Sequence, residues 1–346
     1  MKIKKIELSN FKQFVSKKTF DFIDENEDIP DITLILGNNG SGKTSLLQAI
    51  VLVTASASRE GFLPENLNWA GFEYRLIETG RIPLYIRCEY VFTEEELEAT
   101  YSYAEELIKR GVKLYTPSKQ ENVCLNFDYK DNKSLAGDSK KFYQFSGYQY
   151  AKRLVKFSEN KNKLFDKVGN IYWYTEQRTS YSLSNLLDSE KPQLDYIRNF
   201  LGNSYAYHVD ISNGNREGGF DFYESLHTLY KKVFPERCFI GSAPRFDVFE
   251  KMEAPDFFLS DGCNQYELAE MSAGERAIFP ILMDFARWNI NHSIIIIDEI
   301  ELHLHPPLQQ ALIRALPKIG NGNQFIITSH SNSVAAMFSE DQIIRL

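Results

Sequence analysis

Cysteine is scarce in this chain: 346 residues hold four, Cys88, Cys124, Cys238 and Cys263, and none falls in a CxxC spacing. The scatter fits a reducing compartment and argues against a Cys-based zinc cluster. Long apolar runs are missing as well. None approaches the roughly twenty residues that span a bilayer, and the N-terminus lacks the apolar core of a secretory signal. The expectation is a cytoplasmic protein with no place in a membrane. Heptads and internal repeats are absent, which excludes a long coiled coil. Positive charge is in deficit, with 39 Lys and Arg against 47 Asp and Glu for a net charge of −8. That balance argues against a chain coated with nucleic acid, though it permits a local basic path. Aromatics are plentiful at 14 %, which fits a folded chain with room for one large domain and an inserted subdomain, or for two lobes.

The most informative stretch is Gly37-Asn38-Asn39-Gly40-Ser41-Gly42-Lys43-Thr44, set between the apolar run Ile32 to Leu36 and the helical pattern that begins Ser45-Leu46-Leu47. This is a P-loop in its required strand–turn–helix context. Glycines let the backbone curl so that N–H groups aim at phosphates. Lys43 is then expected to reach the β- and γ-phosphates and the Thr44 hydroxyl to ligate Mg²⁺. The pattern implies a site for ATP or GTP.

The C-terminal part narrows the class. Met271-Ser272-Ala273-Gly274-Glu275 opens a helical segment with hydroxyl and backbone donors at its N-terminus. Ile294 to Ile297 is a pure β-branched strand of the kind buried on both faces of a parallel sheet, and it delivers Asp298 and Glu299. The first carboxylate suits Mg²⁺ binding and the second suits polarising an attacking water. A further strand, Gln324 to Thr328, delivers Ser329 and His330 at the end where open α/β sheets place their ligands.

Walker A, a signature-like turn, Walker B with its Glu and a switch His, in this order, resemble the ABC-type ATPases over roughly residues 1 to 55 and 260 to 346. The start, Asn10-Phe11-Lys12-Gln13-Phe14, and the run Asp298-Glu299-Ile300-Glu301-Leu302-His303-Leu304-His305-Pro306 are similar to the SMC, RecF and OLD-like branch. That branch includes AAA-family ATPases of bacterial antiphage systems such as Septu, PARIS and the retron-linked ATPases. The signature departs from the transporter form in Met271 and Ala273. The resemblance implies an α/β fold, an ABC-type P-loop NTPase with a mixed β-sheet core and an inserted helical subdomain.

The same resemblance implies ATP and Mg²⁺ as cofactors, with Asn38, Asn39, Gly40, Ser41, Gly42, Lys43, Thr44 and Ser45 around the nucleotide. It assigns Thr44, Asp298 and, as a Q-loop residue, Gln177 to the metal, and Glu299 and His330 to catalysis. Ser272, Ala273, Gly274 and Glu275 would close on the ATP of a second copy, making a head-to-tail homodimer or higher oligomer. Larger OLD-family proteins continue past the switch His into a Toprim nuclease domain, whereas this sequence stops at Leu346. The expectation is therefore a switch subunit whose effector, a nuclease, is a separate polypeptide. A RecF-like DNA-repair ATPase is the competing reading. A transporter ATPase is a third, disfavoured by the N-terminal turn and the His-Leu-His-Pro run. His303 and His305 alternate before a Pro-started helix and read as structural or dimer-contact residues before they read as metal ligands.

Organisation follows from the same walk. Residues 1–92 read as an N-terminal lobe with Walker A, 93–170 as an insertion, 171–260 as the Q-loop region and helical subdomain, and 261–346 as the C-terminal lobe. A helix is expected from Thr93 to about Arg110, its early glutamates a solvated face, and two more from Leu183 to Phe200 and Phe220 to Phe234. Lys130 to Lys167 interleaves basic and aromatic residues. Lys152, Arg153, Lys156, Lys161 and Lys163 are its candidates for nucleic acid, with partner docking or plain solvation as open alternatives.

Overall fold

The computed structural model describes residues 1–58, 84–128, 143–158, 162–175, 180–182, 194–215, 219–244 and 254–346. Gln177 and Lys161 lie outside them. The chain forms two compact units, the first from residues 1–187, 290–301 and 320–346 and the second from 188–289 and 302–319.

The first unit is built on two sheets. Strands β1 (Lys2–Ser9), β2 (Lys18–Asp21), β4 (Tyr85–Val91) and β5 (Asn122–Asp128) form an antiparallel sheet in the order β2-β1-β4-β5. The other sheet has the order β13-β3-β12-β11-β6-β7, from β3 (Ile32–Leu36), β6 (Ile171–Tyr174), β7 (Ser180–Ser182), β11 (Ile294–Ile297), β12 (Gln324–Ser329) and β13 (Ile343–Arg345). Its neighbours pair in parallel except for β7 on β6. The expected mixed sheet is present. β11 and β12 are buried at every position, as near-continuous β-branched and apolar runs in a parallel sheet require. Helix α1 (Lys43–Ser58) is apolar almost all round, and such a helix must be enclosed. Leu46, Ile50 and Val53 share one core with Ile6 and Ile86 of the first sheet and Trp173, Ile296 and Ile326 of the second.

Helix α2 (Glu94–Lys109) starts at Thr93 in a full capping box with Glu96. The early glutamates are not all a solvated face. Glu94 and Glu95 are exposed, but Glu96 is buried and pairs with the amine of Met1 while it caps Thr93. An acid at the third helical position turns back toward the cap rather than outward. Helix α3 (Gly147–Leu154) packs on α2.

The second unit holds α4 (Leu194–Ser212), α5 (Phe222–Val233), α6 (Ala273–Trp288) and α7 (Pro306–Ala315) with the antiparallel sheet β8 (Cys238–Ala243), β9 (Asp256–Ser260) and β10 (Gln265–Glu267). Helix α4 runs twelve residues past the expected end at Phe200 and stops at the Asn213-Gly214 turn, where Gly214 takes φ +71°. Gly202 does not stop it. A Cβ at that position would come within 2.8 Å of Pro255 and 3.1 Å of Ser242, so this glycine serves a close approach inside the helix. Residues 183–193, the expected first half of that helix, lie outside the described set. Among the described residues no helix is long and apolar enough to cross a membrane.

Candidate functional site

The P-loop follows β3 and leads directly into α1. Asn38, Asn39 and Gly40 are exposed, Gly40 takes φ +81° and Gly42 φ +113°, conformations that L side chains avoid. A Cβ at Gly42 would also stand 2.5 Å from the Gln13 amide. The N-terminal turn that sequence reading used as a family marker thus lies against the loop. Gln13 accepts a hydrogen bond from Ser45 Oγ at 2.9 Å, and Lys12 donates to Gln48 on α1. Gln13 and Gln48 were not foreseen. Their signal was position alone: Gln13 sits inside the marker, and Gln48 one helical turn after Thr44.

Lys43 is buried, and its amine donates to the carbonyls of Gly37 at 2.8 Å and Asn38 at 3.0 Å. The amine therefore stays within the loop it is expected to serve. Ser41 Oγ is buried without a hydrogen-bond partner. A buried hydroxyl left unsatisfied is costly, and here it lies in a turn rich in backbone donors.

Strands β3, β12 and β11 are adjacent and parallel, so their C-terminal ends bring the distant motifs together. Thr44 Oγ1 donates to Asp298 Oδ2 at 2.9 Å across 254 positions of sequence. Thr328 Oγ1 donates to the other oxygen, Oδ1, at 2.5 Å and accepts from the Glu299 N–H at 2.8 Å. Thr328 O accepts from the Ile300 N–H. These bonds hold Glu299 at φ +47°, a left-handed conformation that a Glu rarely adopts unaided, with its side chain only part-buried. His330 is half exposed. Its backbone N–H and its Nδ1 both meet one oxygen of Glu301, at 2.7 and 2.8 Å. Thr328 and Glu301 are functional candidates that sequence reading missed. The available hints were a third carboxylate after Asp298-Glu299 and a hydroxyl just ahead of Ser329-His330.

The donor set fits the expected metal. Thr44 and Asp298 are the hydroxyl and carboxylate oxygens that a hard divalent cation takes, and they already meet. Among the described residues no group of three or more His, Cys, Asp and Glu forms another metal cluster. His303 and His305 are exposed, His303 at φ +63° and His305 ahead of the Pro-started α7.

The signature residues belong to the second unit. Ser272 caps α6, accepting from the Glu275 N–H at 3.3 Å, and both Ser272 and Ala273 are exposed. Gly274 is buried, because a Cβ there would collide with Leu308 of α7. Glu275 departs from expectation. It is 2 % exposed and faces inward, accepting from Tyr230 at 2.6 Å and Tyr266 at 2.5 Å, pairing with Arg237 and returning to the Ser272 N–H. Burial by itself would raise its carboxyl, but the hydrogen bonds from Arg237, Tyr230, Tyr266 and Ser272 outweigh burial and bring it down to about 2. The same burial and the charge of Glu275 push the Tyr266 hydroxyl up to about 12. A carboxylate so occupied supports the cap and has no oxygen to spare for a second copy's nucleotide.

Four of the five basic candidates lie among the described residues of the first unit. Arg153, Lys156 and Lys163 are exposed, and Lys152 lies over the Tyr148 ring at 5.9 Å. Neighbouring cations are already matched by acids of α2: Lys119 with Glu98, Lys167 with Glu95 and Arg110 with Glu106. Among the described residues, the cations beside α2 are therefore interleaved with acids.

The chain is similar to the "Retron Vc95 probable ATPase" of Vibrio cholerae serotype O1 biovar El Tor, 24 % identical over 99 % of this chain and 73 % of the relative. It is also similar to the "Retron Ec83 probable ATPase" of Escherichia coli, 25 % identical over 99 % of this chain and 71 % of the relative. In structure it resembles an Smc head crystallised with the C-winged helix domain of ScpA, with a TM-score of 0.52 and 14 % identity over 100 % of this chain and 94 % of that one. The parallel-sheet core is that of a P-loop NTPase. Residues 1–335 match the AAA ATPase domain family, and the chain belongs to it.

Proposed function

We infer that the chain binds and hydrolyses ATP as a switch subunit, pairs head to tail with a second copy around the nucleotide, and governs a separate effector in bacterial antiphage defence. The observation that carries the reading is the convergence of Lys43, Thr44, Asp298, Glu299 and His330 at the ends of three adjacent parallel strands. Retron-associated relatives support the defence role, and an effector with nuclease activity is the proposed partner.

The chemistry assigns each group a task. Lys43 exchanges its carbonyl partners for phosphate oxygens, a stronger charge-assisted contact. Ser41 and the backbone N–H groups of residues 39–44 complete the phosphate cradle. Thr44 and Asp298 would hold Mg²⁺, which when bound would supply positive charge against the phosphates. Glu299 polarises the attacking water, and His330 steadies the γ-phosphate. Ser272 keeps its hydroxyl proton for a phosphate oxygen of the second copy, since its oxygen serves the helix cap as acceptor.

The test is a pair of variants. Glu299→Gln should retain ATP binding and lose turnover by roughly 100-fold or more, because an amide cannot act as base. Ser272→Arg should bind ATP yet stay monomeric in sizing runs with a non-hydrolysable analogue, where the parent associates. Parent-like hydrolysis by Glu299→Gln rejects the catalytic assignment, and equal ATP-dependent association rejects the dimer.

A further inference from the structure

We propose that Glu301 is a positioning residue for the reaction, acting through His330. The proposal rests on the reading of this site as an ATPase site.

Four observations carry it. Glu301 is buried, its side chain 8 % exposed, whereas the His330 ring it meets is 50 % exposed. One carboxylate oxygen takes both the backbone N–H of His330 at 2.7 Å and its Nδ1 at 2.8 Å, which fixes the residue at two points. The other oxygen, Oε2, is buried without a hydrogen-bond partner. Finally, Glu301 stands three residues after Asp298 on the same turn that Thr328 clamps from β12.

A buried carboxylate is expensive to keep, and one that spends a single oxygen on one residue is not explained by general stability. Its geometric effect is specific. With Nδ1 donating to Glu301, the ring is held at one nitrogen, and Nε2 is the nitrogen left for phosphate or water. Fixing one ring nitrogen through a carboxylate is the general means by which an imidazole is oriented and its tautomer chosen. Glu301 touches no reacting atom in this arrangement. It also ties the turn carrying Asp298 and Glu299 to the end of β12, so the base and the switch His keep a set spacing.

The experiment is a double-mutant cycle on the full chain, with kcat for ATP and the Kd of a fluorescent ATP analogue as separate readouts. Glu301→Ala should lower kcat roughly tenfold and leave Kd within about twofold, as loss of an orienting partner does. In the His330→Ala background the same change should cost less than about twofold, because the ring contact is gone and only the bond to the backbone N–H of residue 330 remains. Glu301→Gln, which keeps an acceptor oxygen, should recover most of the activity. If Glu301→Ala does not yield folded protein, Glu301→Met keeps the side-chain length without a strong acceptor and carries the same cycle. Ring ¹⁵N shifts of His330, read without nucleotide, should report a proton on Nδ1 in the parent and a changed tautomer balance in Glu301→Met.

The outcomes separate the two layers. Additive losses of Glu301 and His330, or identical ring shifts in parent and Glu301→Met, overturn this proposal and leave the ATPase reading standing. Parent-like kcat in His330→Ala overturns the role given to His330, and the proposal with it.

Discussion

The two helix starts proposed to meet phosphate are built in opposite ways. Helix α1 begins in a loop with two positive-φ glycines, no acid in its first turn and a buried lysine. Helix α6 begins with a serine cap, an acid at its third position and a complete capping box. The first leaves its backbone donors and a cation available for a ligand. The second has satisfied its own N-terminus and spends a buried carboxylate, an arginine and two tyrosines on holding the cap rigid. A site that binds phosphate strongly by itself needs the former, because cationic and N–H donors must outcompete water. A surface that closes on phosphate already bound elsewhere, the role proposed for α6, needs shape and one or two donors such as Ser272.

The contrast can be broken by mutation. The largest effect is expected at α1: Lys43→Ala should weaken ATP binding by roughly 100-fold or more, while Ser272→Arg should change binding to a single copy by no more than about twofold. Titration of a fluorescent ATP analogue reads both, and equal losses would erase the distinction between a binding start and a closing start. Folding stability should rank the two in reverse. Arg237→Ala leaves Glu275 buried without its cation and should cost about 2 kcal/mol or more in urea unfolding, whereas Lys43→Ala, whose amine holds only loop carbonyls, should cost about 0.5 kcal/mol or less. A larger loss from Lys43→Ala would show that the P-loop lysine is structural.

The smallest effect sharpens the same point through pH. The folded Glu275 carboxyl lies at about 2, below its ordinary 4.5. Its contribution to stability is therefore fully present above 4.5 and is lost as pH falls toward 2. Glu275→Gln should flatten the acid limb of stability across that window, and a limb unchanged by the substitution would place the acid sensitivity elsewhere.

Much of the P-loop side was legible from sequence because its requirements are local. A strand, a glycine turn and a helix are written within about twenty consecutive residues, and glycine positions report the backbone directly. Walker B was legible for a similar reason: four isoleucines in a row fit a strand covered on both faces. The capping box at Thr93 could also be read, but whether its glutamate lay in water or against Met1 could not. Glu94, Glu95 and Glu96 are identical in chemistry, and the helix face each occupies is decided by what packs there.

What the sequence determined by itself, then, is the order of the elements, the nucleotide loop and the identity of the carboxylate pair, since each depends on neighbours along the chain. Tertiary structure decided which side chains the loop leans on and which acids are free. Gln13 meets Ser45 across 32 positions, Thr328 reaches Asp298 across 30 and Glu301 takes His330 across 29. Glu275 turns inward because Arg237, Tyr230 and Tyr266 surround it. Hydrogen bonds depend on distance and direction in space, and a parallel sheet that aligns β3, β12 and β11 sets both for residues that sequence keeps far apart.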